Sequence, residues 1–591
     1  MRRLTIALAV TIAATGVVWS QGRGNPTEWP TAYGDAQHTS WIPNDVSISL
    51  ETMSGPGFEL QWKTTLESPA RQGLSLSQGV VASPVNLFTP LSTIAGPANE
   101  IFAIDNDTGN LFWTRRFEGA LAPGTAACPG GMSGALTRMT NLTPALAPAR
   151  GGGRGRQAHS SAVGEPGAGA PIPSRGRGAG RGTPAPGTTA PPAGAGRAAV
   201  PPPEPTIPPG QWRPSPFPTN AAAQGTAGGG LFRPSGVVYA VSADGLLRTL
   251  GLVSGKDLQR PAPFLPAGAR FSDLIAVDGM VYTATSRGCG GAADGVWAID
   301  ASSDKKVVSW KTNGGDPIGS VAFATNGTAI VAIGPGHLTS GGYANAIVAL
   351  DPKTLALKDW FTQPGIEPAA PPVVFQEGGK DIVAVTTRDG RILLLDAGSL
   401  GGPNHDTPLF ASASLTGGAA TFAAHSPAMW QERVTVPSPA ATAPATGAPP
   451  ATSAPKTADG ARWLLIPVAG RLPANLGATE NGAVSTGAIL GVRIAHQEGK
   501  FSVRPGWLSP NIASPLTPIV VNGVAFAASG PSNAPAALYA LHGATGKTLW
   551  QSEKTITSPL SGRSLWAGSG HVFVGTRDGT VYAFGFAMER H

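Results

Sequence analysis

The sequence has little charge and almost no cysteine. Only 13% of its 591 residues are charged, about half the share found in an ordinary soluble domain. This low charge argues against a charged helical bundle or a coiled coil. Two cysteines are present, and the histidines show no His-Glu-x-x-His spacing. No metal site is therefore predicted from the motifs.

Glycine and proline are abundant instead. The chain contains 80 glycines and 57 prolines, which long helices do not tolerate because glycine costs backbone entropy and proline lacks an N–H donor. The composition favours a chain that is β-rich, loop-rich or partly disordered.

The N-terminus has the layout of a secretory signal. Two arginines follow the first methionine, an apolar stretch runs from Leu4 to Val18, and the small residue Ser20 precedes a polar segment. We expect residues 1–20 to be a signal peptide and the protein to be periplasmic or secreted. A membrane anchor is less well supported, because the stretch is shorter than the roughly 20 residues that span a bilayer.

Two low-complexity segments interrupt the chain. Residues 141–230 and 436–459 consist mainly of Pro, Ala, Gly, Ser and Thr, with arginines in the first, and we predict both to be disordered inserts. The first insert also explains the net charge of +7, since eight arginines and only two glutamates lie between Arg150 and Arg213. The rest of the mature chain is close to neutral, so we expect no nucleic-acid partner.

A repeated hairpin organises the remaining sequence. Each copy has an alternating apolar strand, a turn and a second strand that ends in tryptophan. The clearest copies are IFAIDNDTGNLFW (101–113), VWAIDASSDKKVVSW (296–310), IVALDPKTLALKDW (347–360) and LYALHGATGKTLW (538–550). Because further apolar runs precede the hairpins, each unit is predicted to be a four-stranded antiparallel sheet.

The two ends of the repeat region each contain half a hairpin. The last copy, GTVYAFGF at 579–586, lacks its closing strand, and FELQWKTTL at 58–66 is a closing strand without a hairpin. If these two strands pair, the units close into a circle that hides both faces of every sheet. We predict an all-β, eight-bladed β-propeller over residues 58–591, after a lead-in at 21–57. Seven blades is the alternative, because the copy at 489–507 is poor.

These repeats resemble the Ala-x-Asp-x-x-Thr-Gly-x-x-x-Trp repeat of the pyrroloquinoline quinone (PQQ) propellers. The opening WPTAYGDAQHTSW at 29–41 also resembles the lead-in of that family, and the GCGG segment at 288–291 is similar to that of uncharacterised secreted members. The resemblance implies either of two functions. One is a binding or protein-interaction scaffold in the cell envelope, and the alternative is a PQQ- and calcium-dependent dehydrogenase that oxidises alcohols or sugars.

The sequence does not settle whether the protein is an enzyme. Many family dehydrogenases place two adjacent, bonded cysteines against the quinone, and this chain has no such pair. No local motif carries over the calcium ligands or the catalytic base, so the catalytic residues stay unknown. We favour the scaffold, whose partner would be an envelope protein or a small molecule bound at the channel mouth, and we expect a monomer.

The two cysteines predict a disulfide. Cys128 and Cys289 are the only cysteines, and in an exported chain they most economically pair with each other. A free catalytic thiol and a metal site are the alternatives. Five loop residues are our candidates for a ligand site at the mouth of the channel: Arg287, Asp294, His337, His425 and Arg563.

Overall fold

The computed structural model describes residues 28–142, 236–436 and 456–587, apart from short gaps at 46, 69–70, 72–73, 87–88, 119–123, 133, 303, 339–340, 419, 475 and 531–532. The expected signal peptide and nearly all of the first insert lie outside the described residues. The expected second insert begins at the end of one strand, Ala428–Val436, and ends within the next, Lys456–Gly470.

Within the described residues, short strands form eight mostly antiparallel sheets that follow one another along the chain as blades 1 to 8. The strands of blades 1 to 4 are Val80–Asn86, Thr89–Gly96, Glu100–Asp105 and Leu111–Arg116; Val237–Val241, Leu246–Gly251 and Ala262–Pro263; Met139–Thr140, Ile275–Val277, Met280–Thr285, Gly295–Asp300 and Val307–Lys311; and Gly315–Pro317, Ala322–Phe323, Ala329–Gly336, Ala346–Leu350 and Leu357–Thr362.

The strands of blades 5 to 8 are Val373–Glu377, Lys380–Thr386, Ile392–Asp396 and Phe410–Ala411; Ala420–Phe422, Ala428–Val436, Lys456–Gly470, Thr479–Glu480, Gly487–Gln497 and Lys500–Leu508; Trp41–Ile42, Ile519–Val521, Val524–Ala528, Leu538–His542 and Thr548–Gln551; and Phe58–Thr65, Leu560–Gly568, His571–Thr576 and Thr580–Phe586. Helical structure in the described residues is limited to single 3₁₀ turns at Thr52–Ser54, Cys289–Gly291 and Gly402–Asn404.

Apolar clusters join each blade to the next. Side chains from the facing sides of two neighbouring sheets pack together, which is how a single sheet hides both of its faces. Examples of two buried residues that come from neighbouring blades and belong to the same cluster, taken in order around the propeller, are Val80 and Val238, Tyr239 and Ile299, Val296 and Val331, Ile330 and Val374, Val373 and Leu464, Leu465 and Val520, Phe526 and Phe573, and Trp566 and Ile94. The last pair joins blade 8 to blade 1.

The predicted closure is confirmed. Phe58–Thr65 pairs antiparallel with Thr580–Phe586, in a register that runs from Phe58 opposite Phe586 to Thr65 opposite Thr580. The fold is an eight-bladed β-propeller, and the poor repeat copy at 489–507 forms the long outer strands of blade 6.

Tryptophans on outer strands dock on the turns of the next blade. Trp62 Nε1 donates a hydrogen bond to the carbonyl oxygen of Asn106 at 2.7 Å, and Trp507 Nε1 donates to that of Gly543 at 3.0 Å. In the first of these turns, the Asp105 carboxylate accepts the N–H groups of Asp107 and Thr108. The repeat therefore encodes the contact between blades as well as the hairpin.

Blade 2 departs from the four-stranded pattern. Its innermost position is taken by Thr137, which forms a bridge with Tyr239, before the chain passes to blade 3 as Met139–Thr140. The first insert therefore begins after Met139–Thr140 of blade 3 and ends before Val237–Val241 of blade 2. The second insert connects two strands of blade 6.

The lead-in forms a belt, by which we mean residues 29–45. The belt runs around the inner edge of the propeller and bonds to one blade after another. Its backbone or side-chain contacts are Trp29 with Val81, Pro30 with Arg138, Thr31 with Leu274, Ala36 with Phe323, Gln37 with Val374, Thr39 with Met429, Ser40 with Val520, Ile42 with Asn522, and Asp45 with Gly570. The belt therefore contacts blades 1 and 3 to 8, each of which has a regular inner strand.

Candidate functional site

The inner strands place one residue from each of several blades around the channel mouth. Gln78, Asp273, Ser320, Ser426 and Thr517 each lie two positions before the first residue of an inner strand, in blades 1, 3, 4, 6 and 7. Since the inner strands are equivalent in a propeller, the shared position brings these residues to one level. This level marks the end of the channel that we call the mouth.

A cavity of about 360 Å³ opens at the mouth. It is lined by residues that precede the inner strands of blades 1, 3 and 4, by the segment that leads into blade 2, and by Gly562 of blade 8. Its polar lining consists of Ser75, Ser77, Gln78, Arg270, Ser272, Asp273 and Ser286. The volume lies near the lower end of the range for small-molecule sites, which is roughly 300–1,000 Å³.

Two charged residues of opposite sign face this cavity. Arg270 Nη1 donates to the carbonyl oxygen of Ala127 at 3.0 Å, which fixes the guanidinium at the rim. The buried carboxylate of Asp273 accepts the N–H of Ala135 at 3.0 Å. The side chain of Ser320 donates to the Asp273 carbonyl oxygen at 3.1 Å. The site is therefore polar, nearly neutral in charge and held by its own hydrogen bonds.

A smaller pocket lies next to the cavity and shares Gln78 with it. Tyr33 of the belt, His425 and Thr517 also line this pocket. Gln78 Oε1 accepts the backbone N–H of Tyr33 at 3.3 Å, and its amide nitrogen donates to the carbonyl oxygen of Leu565. Burial lowers the pKa of His425, so its imidazole is neutral at pH 7. The belt thus supplies part of the floor of the mouth.

The disulfide between Cys128 and Cys289 is confirmed. It ties residues 124–132, which we call the cap loop together with residues 134–136, to the loop that joins two strands of blade 3. Met132 and Ala135 of the cap loop line the cavity, and so does Ser286, which precedes the Cys289 turn. The cross-link therefore lies at the edge of the candidate site.

The structure separates the five predicted mouth residues. His425 lines the smaller pocket. Arg287 is exposed, with a left-handed backbone at φ 66°, two residues before Cys289. His337 is exposed on another loop. The backbone of Arg563 lies between two residues that line the cavities, Gly562 and Ser564, but its side chain is outside the described part of the chain.

Asp294 belongs to a pair of carboxyl groups near the disulfide. Its Oδ1 accepts the N–H of Gly288 at 2.7 Å. Partial burial and the neighbouring carboxylate of Asp316 raise the pKa of Asp294. The next residue after Asp316, Pro317, lines the mouth cavity. A role for any of the five in ligand binding stays a prediction.

Sequence reasoning missed Gln78, Arg270 and Asp273. The signal was present, because Gln78 and Asp273 each lie two residues before the strand start in the apolar runs SQGVVASPV and SDLIAV. Reading that position across the repeats would have pointed to them. Arg270 has no such regular spacing, so its position at the cavity is seen only in the folded structure.

A calcium-bound quinone does not fit the described residues at the mouth. Calcium takes six to eight oxygen ligands, whereas one carboxylate, that of Asp273, lines the cavity, and it already accepts a backbone N–H. Within the described residues, no three or more His, Cys, Asp or Glu side chains come together as metal ligands. The part of the chain described contains no helix long and apolar enough to cross a bilayer.

No protein-family model and no curated protein matches the chain. Several solved structures resemble it. The quinohemoprotein alcohol dehydrogenase from Comamonas testosteroni is 14% identical, with 96% of this chain and 81% of that chain covered and a TM-score of 0.49. A europium-containing methanol dehydrogenase is 10% identical, with 95% and 98% covered and a TM-score of 0.49.

BamB from Moraxella catarrhalis is 13% identical, with 59% of this chain and 94% of that chain covered and a TM-score of 0.29. At such identities and TM-scores these similarities carry no argument about activity. The eight-bladed propeller itself rests on the strand pairing of this chain.

Proposed function

We propose that the protein is an exported PQQ-like propeller that acts as a binding scaffold in the cell envelope, with the mouth cavity as its ligand site. The cavity of about 360 Å³ carries this proposal. It is large enough for one small molecule, and its polar groups are fixed in place before any ligand arrives. The disulfide supports an oxidising compartment such as the periplasm.

The lining favours a small polar ligand. Arg270 and Asp273 offer a donor and an acceptor of opposite charge, and Gln78 and the serines add neutral hydrogen-bonding groups. Phe271, Met132 and Leu74 supply apolar surface beside them. A molecule with both hydrogen-bonding groups and a small apolar face would satisfy this lining.

Thermal-shift measurements with small sugars, polyols and carboxylic acids test this site. We expect at least one class to raise the melting temperature of the wild type and to have no effect on Arg270→Gln. Arg260→Gln is the matched control, because Arg260 is exposed and does not line the cavity. Equal shifts in all three proteins would contradict the assignment of the cavity.

The dehydrogenase is the second candidate, because the repeats and the lead-in resemble those of the PQQ family. The wild-type protein should be mixed with PQQ and Ca²⁺, and quinone absorbance and dye reduction should be followed with alcohols and sugars. We expect neither signal. Dye reduction that depends on PQQ would overturn the scaffold proposal.

A further inference from the structure

We propose that the mouth cavity takes a small zwitterion of about dipeptide size, with Asp273 binding its ammonium end and Arg270 binding its carboxylate end. This inference rests on the proposed function, because it takes the mouth cavity to be the ligand site. It goes further by assigning a charge to each end of the ligand. A sugar or a polyol would lack both charges.

The two charged residues come from one extended segment at the wall of the cavity. The N–H of Ser286 donates to the carbonyl oxygen of Arg270 at 3.1 Å, and the N–H of Ser272 donates to that of Ala284 at 2.8 Å. These bonds align the segment antiparallel to Met280–Thr285 of blade 3. The backbone that carries the guanidinium is therefore held by strand-like pairing before any ligand arrives.

The pairing of this segment is irregular just before the inner strand. Phe271 lies opposite Thr285, whereas Ile275 lies opposite Tyr282. One side advances by four residues while the other advances by three, as in a β-bulge. In a regular strand, residues three apart point to opposite faces. The extra residue breaks that alternation, and the two charged residues, three positions apart, both line the cavity.

The spacing of the two residues favours a ligand whose own charges are well separated. Three steps along an extended chain cover about 10 Å. A hydrogen bond of about 3 Å at each end leaves roughly 4–8 Å between the ammonium and the carboxylate of the ligand. A single α-amino acid carries its two charges on neighbouring atoms of one residue. A dipeptide separates them by one further peptide unit, about 3.8 Å long.

The buried carboxylate of Asp273 favours a cationic group over a neutral one. Asp273 is 6% exposed, and a buried charge costs free energy that an opposite charge offsets. The hydrogen bond from the Ala135 N–H at 3.0 Å comes from a neutral group, and an ionised carboxylate has about four acceptor positions. An ammonium would add a full positive charge and a charge-assisted hydrogen bond.

Arg270 offers the complementary group. Its Nη1 bond to the carbonyl oxygen of Ala127 at 3.0 Å holds the side chain at the rim, and a guanidinium has five N–H donors. The planar guanidinium suits a carboxylate, which it binds through two parallel hydrogen bonds. Leu74, Met132 and Phe271 add apolar surface to the same cavity. A dipeptide with small aliphatic side chains matches this combination.

Calorimetric titration of the disulfide-bonded protein with alanylalanine tests each end of the ligand separately. The probes are the dipeptide itself, its N-acetyl derivative, which lacks the ammonium, and its C-terminal amide, which lacks the carboxylate. We expect the wild type to bind the dipeptide and to bind each blocked form at least tenfold more weakly. Alanine alone should also bind at least tenfold more weakly, because its charges are too close together.

Two variants connect the ends of the ligand to their residues. Asp273→Asn keeps an oxygen acceptor for the Ala135 N–H, and it should bind the dipeptide and the N-acetyl form within twofold of each other. Arg270→Gln should do the same for the dipeptide and the amide. Arg260→Gln and Asp406→Asn are matched controls, because both residues are exposed and neither lines the cavity. They should keep the preference of the wild type.

Two results would overturn the zwitterion assignment. One is that the wild type binds no dipeptide, or binds the blocked forms as tightly as the dipeptide. A sugar or polyol that raises the melting temperature of the wild type but not of Arg270→Gln would still support the cavity as the ligand site. The other is that the preference for the dipeptide persists in both cavity variants, because the zwitterion would then be bound away from Asp273 and Arg270.

Discussion

The indole of Trp113 lies directly on Gly255, across the interface between blades 1 and 2. A Cβ built on Gly255 would come within 2.6 Å of the indole, and the backbone there is left-handed at φ 62°. Trp113 Nε1 also donates to the carbonyl oxygen of Leu252 at 2.7 Å. Glycine at this position of the repeat therefore allows the left-handed turn and also leaves room for the tryptophan of the neighbouring blade.

Gly255→Ala should destabilise the protein by about 2–4 kcal/mol, because it combines left-handed strain with a clash in a packed interface. Gly268→Ala is the matched control. Gly268 is also left-handed, at φ 73°, but nothing lies within 4 Å of its Cβ position. It should cost only about 1 kcal/mol. Chemical denaturation measures both, and equal losses would show that the tryptophan contact contributes nothing.

Trp62→Phe tests whether the interface between blades 8 and 1, where the propeller closes, contributes as much stability as the interface between blades 1 and 2. Trp62 docks on blade 1 from the closing strand, and Trp113 docks on blade 2 in the same way. Trp62→Phe and the matched variant Trp113→Phe each remove one indole hydrogen bond and leave a carbonyl oxygen, of Asn106 or Leu252, without that partner. We expect both variants to lose about 1–3 kcal/mol. A much larger loss for Trp62→Phe in the same denaturation experiment would identify closure as the weak point of the propeller.

Asp35 in the belt should make stability depend on pH. Burial raises the pKa of its carboxyl from 3.8 to about 6, although hydrogen bonds from Thr39 and Gln37 oppose the shift. Between these two values the folded state holds a proton that the unfolded state releases. Stability should therefore fall as the pH rises from 4 to 6, by up to about 3 kcal/mol.

Asp35→Asn should remove this slope and should be more stable than the wild type at pH 7.5, as measured by denaturation across the pH range. Asp351→Asn provides the opposite case. Hydrogen bonds from Thr354 lower the pKa of Asp351 in its repeat turn, so loss of that carboxylate should destabilise the protein at neutral pH. If Asp35→Asn weakens the protein at pH 7.5, its carboxylate stabilises the belt as an anion and our reasoning is wrong.

His571 should act in the opposite direction to Asp35. Burial lowers the pKa of this imidazole, which is 4% exposed and bonds through Nδ1 to the carbonyl oxygen of Ser569 at 3.0 Å. Below about pH 6.5 the unfolded chain gains a proton that the folded chain resists, so stability falls as the pH decreases. His571→Asn keeps a donor near Ser569 and should reduce the fall in melting temperature between pH 7.5 and 5.5. His337→Asn, at an exposed position, should leave that profile as it is in the wild type.

The propeller could be predicted because its sequence signals are local and are repeated along the chain. The half hairpins at 58–66 and 579–586 implied closure, and the strands pair as expected. The copy at 489–507 matches the repeat poorly, yet Trp507 still docks on blade 7. The path of the belt could not be predicted from pattern. Its contacts are a few hydrogen bonds to each of several separate parts of the chain, and such bonds leave no periodicity in the sequence.

The candidate site was harder to predict for a related reason. Loop residues such as His337 and Arg287 attracted attention by their chemistry, but side-chain type says nothing about direction. Gln78 and Asp273 reach the channel because of their register relative to the inner strands. Arg270 reaches it because Ala127 of the cap loop accepts its hydrogen bond. Only the last of these depends on the disulfide-linked loop.

The belt cannot fold in the order in which the chain is synthesised. Residues 29–45 leave the ribosome early, but Asp45 bonds to Gly570 and Ser40 bonds to Val520, both more than 470 positions later. The earliest segment can therefore reach its final place only when the latest segments have arrived. Until synthesis is complete, the Trp, Tyr and His side chains of this stretch lack their final packing partners in the blades. A holding chaperone would bind the stretch during that period.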